Sequence, residues 1–281
     1  MSITWKSFTI NNATHPLPPT YSPPGLAVNN GSYWQPGNVA VVNDNLQLSI
    51  QRNSGYYWEG QEIWACAEAV FENQLNYGTY CVALKVVTDS GGNDWGRFGL
   101  MQPNADLDVT TTLGVFLYDA TGSGGVDNPH CELDIVEIGY QNQAQTGGWI
   151  SDQPGGPAIN NGQFVVQPWN AGGQTPNWDN LHRLAFDTTN AELQSSGEMT
   201  FLMDWAGPGE PVTYYAAYGS YTKATFPKTG DNTQTWTTPA ATDSYIPTLN
   251  SNMRLHINAW IYGGPGNGKP CYMEVTNVEL P

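Results

Sequence analysis

Apolar residues fall mainly at alternate positions along this chain, in short runs separated by clusters of turn formers. A two-residue period predicts strands with one buried face, not helices. Such runs occupy Val39 to Arg52, Ala65 to Phe71, Gly78 to Val87, Thr111 to Tyr118 and Glu132 to Ile138. They continue at Gln163 to Gln167, His182 to Asp187, Met199 to Trp205, Met253 to Tyr262 and Tyr272 to Leu280. Between them lie turn clusters such as Asp89-Ser90-Gly91-Gly92-Asn93 and Gly263-Gly264-Pro265-Gly266-Asn267. Only short stretches such as Thr189 to Gln194 are open to a helix, and none carries a sustained helical period. The first 35 residues, rich in Pro, Asn, Ser and Thr, predict an irregular arm laid over the surface of a single domain spanning residues 1–281. A hairpin over Phe71 to Asn76 would set Cys66 opposite Cys81, where either a disulfide or two buried thiols fit.

Two of these runs have unusual faces. In Arg254 to Tyr262 the odd positions are apolar, while Arg254, His256, Asn258, Trp260 and Tyr262 share the other side. That side is either the floor of a sugar-binding groove or a solvated outer face. In Glu132-Leu133-Asp134-Ile135-Val136-Glu137, strict alternation would turn Glu137 toward the core beside Leu133 and Ile135, and an isolated buried charge is costly. One β-bulge near Ile135 and Val136 restores Glu137 to the face of Glu132 and Asp134. Three crowded acids raise the proton affinity of at least one member, leaving an acid beside an ionised carboxylate. That pair is what glycoside cleavage needs, at about 5–5.5 Å when configuration is retained. A calcium site or a solvated acidic edge are the alternatives for the same residues.

Composition agrees with an all-β chain: 31 Gly, 20 Pro, 11 Trp and 15 Tyr describe many turns and a large aromatic surface. The net charge of −16 arises from only nine Lys and Arg against 25 Asp and Glu. Without a basic stripe, nucleic acid and anionic membranes are excluded as partners, and a neutral polymer is favoured. The four cysteines fit no zinc spacing, and no apolar run approaches the length of a membrane span. Met1 to Trp5 lack the basic and apolar regions of a signal peptide.

At the bulged E-x-D-x-x-E segment the chain resembles glycoside hydrolase family 16, the laminarinase and lichenase-like enzymes. Further segments occur in that family's order: Asn38 to Val41 with Leu46 to Leu48, Tyr77 to Lys85, Thr112 to Tyr118, His182 to Asp187, Met199 to Trp205, Leu255 to Trp260 and Cys271 to Val278. The resemblance implies a concanavalin A-like jelly-roll sandwich of two bent antiparallel sheets, with a cleft across the concave one. It also implies that Glu132 is the nucleophile, Asp134 its helper and Glu137 the general acid and base. The implied activity is retaining, endo-acting hydrolysis of a neutral polysaccharide, a β-1,3- or mixed-linked β-glucan, by a secreted monomer. No cofactor is required, although some relatives hold a structural calcium.

Substrate contacts are expected from Trp95, Trp149, Gln167, Trp169, His256, Asn258 and Trp260, the indoles serving as stacking platforms or as packing residues. His130 and His182 are read as structural. The sequence departs from β-1,3-glucan-acting relatives before the first acid, where Asp127-Asn128-Pro129-His130-Cys131 stands in place of a Trp-Pro pair. A noncatalytic carbohydrate-binding sandwich, a structural coat or adhesion sandwich and a transglycosylase using the same glutamates are the competing functions.

Overall fold

The computed structural model describes residues 2–12, 32–51, 57–58, 61–62, 64–88, 111–119, 132–139, 162–167, 177–187, 189–261 and 271–281. In chain order the first strands are β1 (Ser2–Trp5), β2 (Phe8–Asn12), β3 (Ser32–Trp34), β4 (Val39–Val42), β5 (Asn45–Ile50), β6 (Tyr57–Trp58) and β7 (Gln61–Glu62). The middle of the chain forms β8 (Trp64–Phe71), β9 (Gly78–Thr88), β10 (Thr111–Tyr118), β11 (Glu132–Gly139), β12 (Gly162–Val166) and β13 (Leu181–Leu184). A short helix α1 (Ala191–Ser196) is followed by β14 (Glu198–Trp205), β15 (Val212–Tyr218), β16 (Thr233–Thr237), β17 (Arg254–Ile261) and β18 (Cys271–Glu279).

Among the described residues these strands, apart from β6 and β7, which pair with each other, form two large sheets that make a jelly-roll sandwich. One runs β1-β2-β8-β17-β10-β11-β12-β13, with β3 added in parallel beside β8; the other runs β16-β15-β14-β9-β18-β5-β4. The remaining pairings within both sheets are antiparallel. Inward-facing residues of both sheets close one continuous core containing Trp5, Phe71, Tyr80, Leu133, Phe164, Phe201, Trp205 and Ile257. Burial of this many large apolar side chains is the main force holding the sheets together, at roughly 25 cal/mol per Å² removed from water.

Local chemistry fixes several turns. The hairpin between β4 and β5 turns on Asn43 and Asp44, both in the left-handed region at φ 49° and 64°, which suits a two-residue hairpin loop. Helix α1 exists because Asn190 accepts the backbone N–H groups of Glu192 and Leu193 and Gly197 ends it at φ 70°. Those caps, and not a helical period, decide it.

Three expectations are corrected. The N-terminal arm is not wholly irregular: β1 and β2 pair as a hairpin, and β2 joins the edge of β8. Phe8 packs edge-on against Phe71 at 5.3 Å and Trp5 against the same ring at 6.4 Å, so aromatic burial recruits this segment to the core. Phe71 to Asn76 is no hairpin, because it carries the chain from β8 in one sheet to β9 in the other. Cys66 and Cys81, both buried, are therefore not bridged to each other. Finally, β15 and β16 extend the second sheet although neither run was expected; Tyr214, Tyr215 and Tyr218 blur the alternation of β15 because tyrosine suits either face.

Candidate active site

Cross-strand pairing places the unusual residues. Along β10 and β17, Gly114 lies opposite both Glu137 and Asn258, Phe116 opposite Asp134 and His256, and Tyr118 opposite Glu132 and Arg254. Paired residues of an antiparallel ladder share a face. Glu132, Asp134, Glu137, His256, Asn258 and Trp260 therefore belong to one side of the nine-stranded sheet, joined from β8 by Glu68, which pairs with Asn258. The register slips by one residue on β11: Val115 faces Val136 while Phe116 faces Asp134, and on the other flank Asp134 and Glu137 face Val165 and Gln163. Ile135 is the extra residue, so the bulge lies where the acidic hexapeptide requires it. Leu133, Ile135, Val136 and Ile138 remain in the core.

The carboxylates are held by amides. Gln167 Nε2 donates to Asp134 Oδ2 at 3.1 Å, and its backbone N–H donates to the Glu132 carbonyl at 3.2 Å. Gln163 Nε2 donates to Glu137 Oε2, and Arg183 donates to Gln163 Oε1. On the other flank His256 Nδ1 meets Glu68 Oε1 at 2.6 Å, with both side chains buried. The imidazole stacks on Phe116 at 5.1 Å and meets the edge of Tyr118 at 5.6 Å. Gly114 has a steric reason: a β-carbon there would come 2.7 Å from Asn258 Oδ1. That oxygen is buried and, among the described residues, has no hydrogen-bond partner, so it is an acceptor left open on this face.

Asp134 is only 1% exposed, whereas Glu132 and Glu137 keep part of their surface open. Burial pushes Glu132 up to about 7; the charges of Glu137 and Glu68 add to this, and its hydrogen bond with Asp134 opposes it. Burial also holds Asp134 well above the ordinary carboxyl range, aided by the charges of Glu132 and Glu137. The hydrogen bond between the two raises Asp134 and lowers Glu132. Glu137 is raised by burial, against the Gln163 hydrogen bond and the charge of Arg183. One strand thus holds three carboxyl groups of raised proton affinity, two of them joined by a hydrogen bond and the third beyond the bulge.

Of the residues expected to contact a ligand, Gln167, His256, Asn258 and Trp260 lie with the acids, while Trp95, Trp149 and Trp169 fall outside the described residues, as does His130. His182 sits elsewhere, stacked with Phe164 at 6.3 Å and Trp236 at 5.9 Å on the opposite face of β13. Sequence reading missed Glu68, Gln163, Arg183, Phe116 and Tyr118. Glu68 was visible as a lone charge in the apolar run Ala65 to Val70, and Gln163 shares the two-residue phase of Gln167. Among the described residues no group of three or more His, Cys, Asp or Glu side chains is spaced to hold a metal ion.

No protein-family model matches the sequence, and no curated protein matches it. Solved structures do match in fold. The catalytic domain of an endo-1,3-β-glucanase (laminarinase) from Thermotoga petrophila RKU-1 superposes with a TM-score of 0.56 at 12% identity, over 99% of this chain and 92% of that one. A β-glucanase from Bacillus licheniformis gives 0.51 at 18% identity, over 99% and 96%. A GH16 protein of a mixed linkage glucan PUL from Bacteroides ovatus, in complex with product, gives 0.52 at 14% identity, over 97% and 94%. The chain has the jelly-roll fold of glycoside hydrolase family 16 laminarinases and β-glucanases. At these identities the likeness is one of fold, and the chemistry of the site must be argued from its own residues.

Proposed function

We propose that this protein is a retaining, endo-acting glycoside hydrolase that cleaves a neutral β-glucan, either β-1,3- or mixed-linked. One observation carries the reading: a bulged central strand gathers Glu132, Asp134 and Glu137 on one face, each with raised proton affinity and each in a different hydrogen-bonding environment. Glu137, protonated, delivers its proton to the glycosidic oxygen as the bond to the anomeric carbon breaks. Glu132, ionised and steadied by the Asp134 hydroxyl, attacks that carbon to form a glycosyl ester. Glu137, now a carboxylate, takes a proton from the water that releases the sugar.

The floor around the acids suits a sugar chain. Phe116, Tyr118 and Trp260 offer aromatic surface, and Asn258 Oδ1 offers an open acceptor. The chemistry needs neither metal nor organic cofactor, and we place the protein outside the cell as a monomer. The β-glucan assignment is supported by the similarly folded proteins being an endo-1,3-β-glucanase and β-glucanases. The test is reducing-sugar release from a panel of neutral β-glucans and galactans by the intact protein and by Glu132→Gln. Release that disappears in the variant supports the glycosidase reading and identifies the polymer. Binding without release by the intact protein would make this a noncatalytic carbohydrate-binding sandwich.

A further inference from the structure

Glu137, Gln163 and Arg183 are consecutive partners across three neighbouring strands, β11, β12 and β13. Gln163 and Arg183 are each 2% exposed, so one of only nine cations in the chain is committed to the interior at this point. A buried guanidinium is tolerated only with partners, and here it donates to the amide oxygen of Gln163. An amide side chain can face a neighbour with either end, but guanidinium is a donor only. Arg183 therefore holds Oε1 of Gln163, and Nε2 is forced toward Glu137, where it donates to Oε2.

We propose that Arg183 is a positioning residue for Glu137: acting through Gln163, it reserves Oε2 as a hydrogen-bond acceptor and leaves Oε1 as the oxygen that carries and delivers the proton. A proton on Oε2 would meet the N–H of Gln163 head-on, so the neutral acid holds it on Oε1. When that proton passes to the leaving oxygen, the resulting carboxylate is met by an N–H already in place and backed by a positive charge, with no reorganisation. This role rests on the reading of Glu137 as general acid and base.

Among the described residues the charged and titratable groups around Glu137 are few. Glu132 and Asp134 share its strand, Glu68 comes from β8, His256 from β17 and Tyr118 from β10. Arg183 reaches it from β13 and opposes the upward push of burial on its proton affinity. Removing the guanidinium takes away that opposition and frees the amide to rotate.

The experiment compares wild type with Arg183→Met, Arg183→Lys and Gln163→Met. It follows kcat/KM against pH on the glucan and on an aryl β-glucoside with a good leaving group, which needs little acid assistance. In Arg183→Met the alkaline limb is expected to move up by about one pH unit. Activity on the glucan is expected to fall at least tenfold further than on the aryl glucoside. Arg183→Lys, which keeps the charge, should recover much of the limb position. Gln163→Met, which loses the amide but keeps the guanidinium, should show the same leaving-group dependence and supplies the answer if Arg183→Met does not fold. A folded variant with the wild-type limb and wild-type leaving-group dependence overturns the proposal. Carbon-13 NMR titration of the Glu137 carboxyl, assigned by Glu137→Gln, reads the relay without turnover. If wild type cleaves no glycoside, the hydrolase reading fails, whereas an upward shift in Arg183→Met still upholds the relay and an unmoved Glu137 refutes it.

Discussion

Strands β11 and β14 are each eight residues long, and each has partners on both sides within its sheet. They treat their acids differently. β14 pairs with β9 and β15 without a slip, and its two acids, Glu198 and Asp204, lie on the outer face. Asp204 accepts from the Thr79 hydroxyl at 2.6 Å and pairs with Lys228, and Glu198 accepts from Thr276 at 3.1 Å. In β11 the three acids face the opposite kind of surface, with each other as neighbours, and Arg183 reaches Glu137 through one amide. Regular pairing with solvent and separate partners leaves acids as ordinary surface groups. A bulge that collects them on one more buried face raises the proton affinity of all three, and crowded acids of that kind are what acid–base chemistry uses.

The strongest way to break this comparison is to shift the phase of the other strand. Inserting one alanine after Phe201 shifts Met203 and Trp205 off the core face, and we expect loss of more than about 4 kcal/mol, read as failure to give a cooperative urea transition. Deleting Ile135 is milder, because the residues on both sides of the bulge then alternate without interruption and Glu137 keeps its face. The sandwich should fold with a loss of about 2–3 kcal/mol for the missing buried side chain, seen in the urea midpoint, while sugar release drops because Glu137 is drawn along the strand. Gly114→Ala should destabilise by about 2 kcal/mol and raise KM, since the added carbon displaces the Asn258 amide beneath the acids.

Glu132→Gln should stabilise the protein. Its folded proton affinity lies above the unfolded value of about 4.5 and reaches about 7, so the folded state binds more protons across that window and wild-type stability falls as pH rises through it. The glutamine variant has no such fall, and thermal melts should show its advantage growing between pH 5 and pH 8 to about 1 kcal/mol, allowing for the water that still reaches the carboxylate. The smallest effect is expected in β14: Lys228→Ala removes an exposed ion pair and should cost less than about 0.5 kcal/mol by urea denaturation.

Much of this architecture was legible because β10, β14 and β17 pair over eight residues without a shift of their own and alternate along that length. The bulge was legible too, since a charge in the wrong phase is a physical contradiction that only an extra residue removes. What stayed hidden depends on pairing between distant strands. Glu68 and His256 are 188 positions apart and meet only because β17 lies beside β8. Gln163 and Arg183 each look like an ordinary polar residue until the register sets them in line with Glu137. The crossing after Phe71 was taken for a hairpin because turn residues look alike whether the next strand returns to the same sheet or starts the other.

The strand order also bears on how the molecule comes into being. β17 lies between β8 and β10, and β18 lies between β9 and β5, so two strands late in this sequence fill the middle of both sheets. Until they arrive, the earlier strands wait with open edges, and His256, Asn258 and Trp260 have no floor to complete. The face that carries the acids is therefore incomplete until β17 has been made and paired. A single strand far along the sequence thus decides when that face exists.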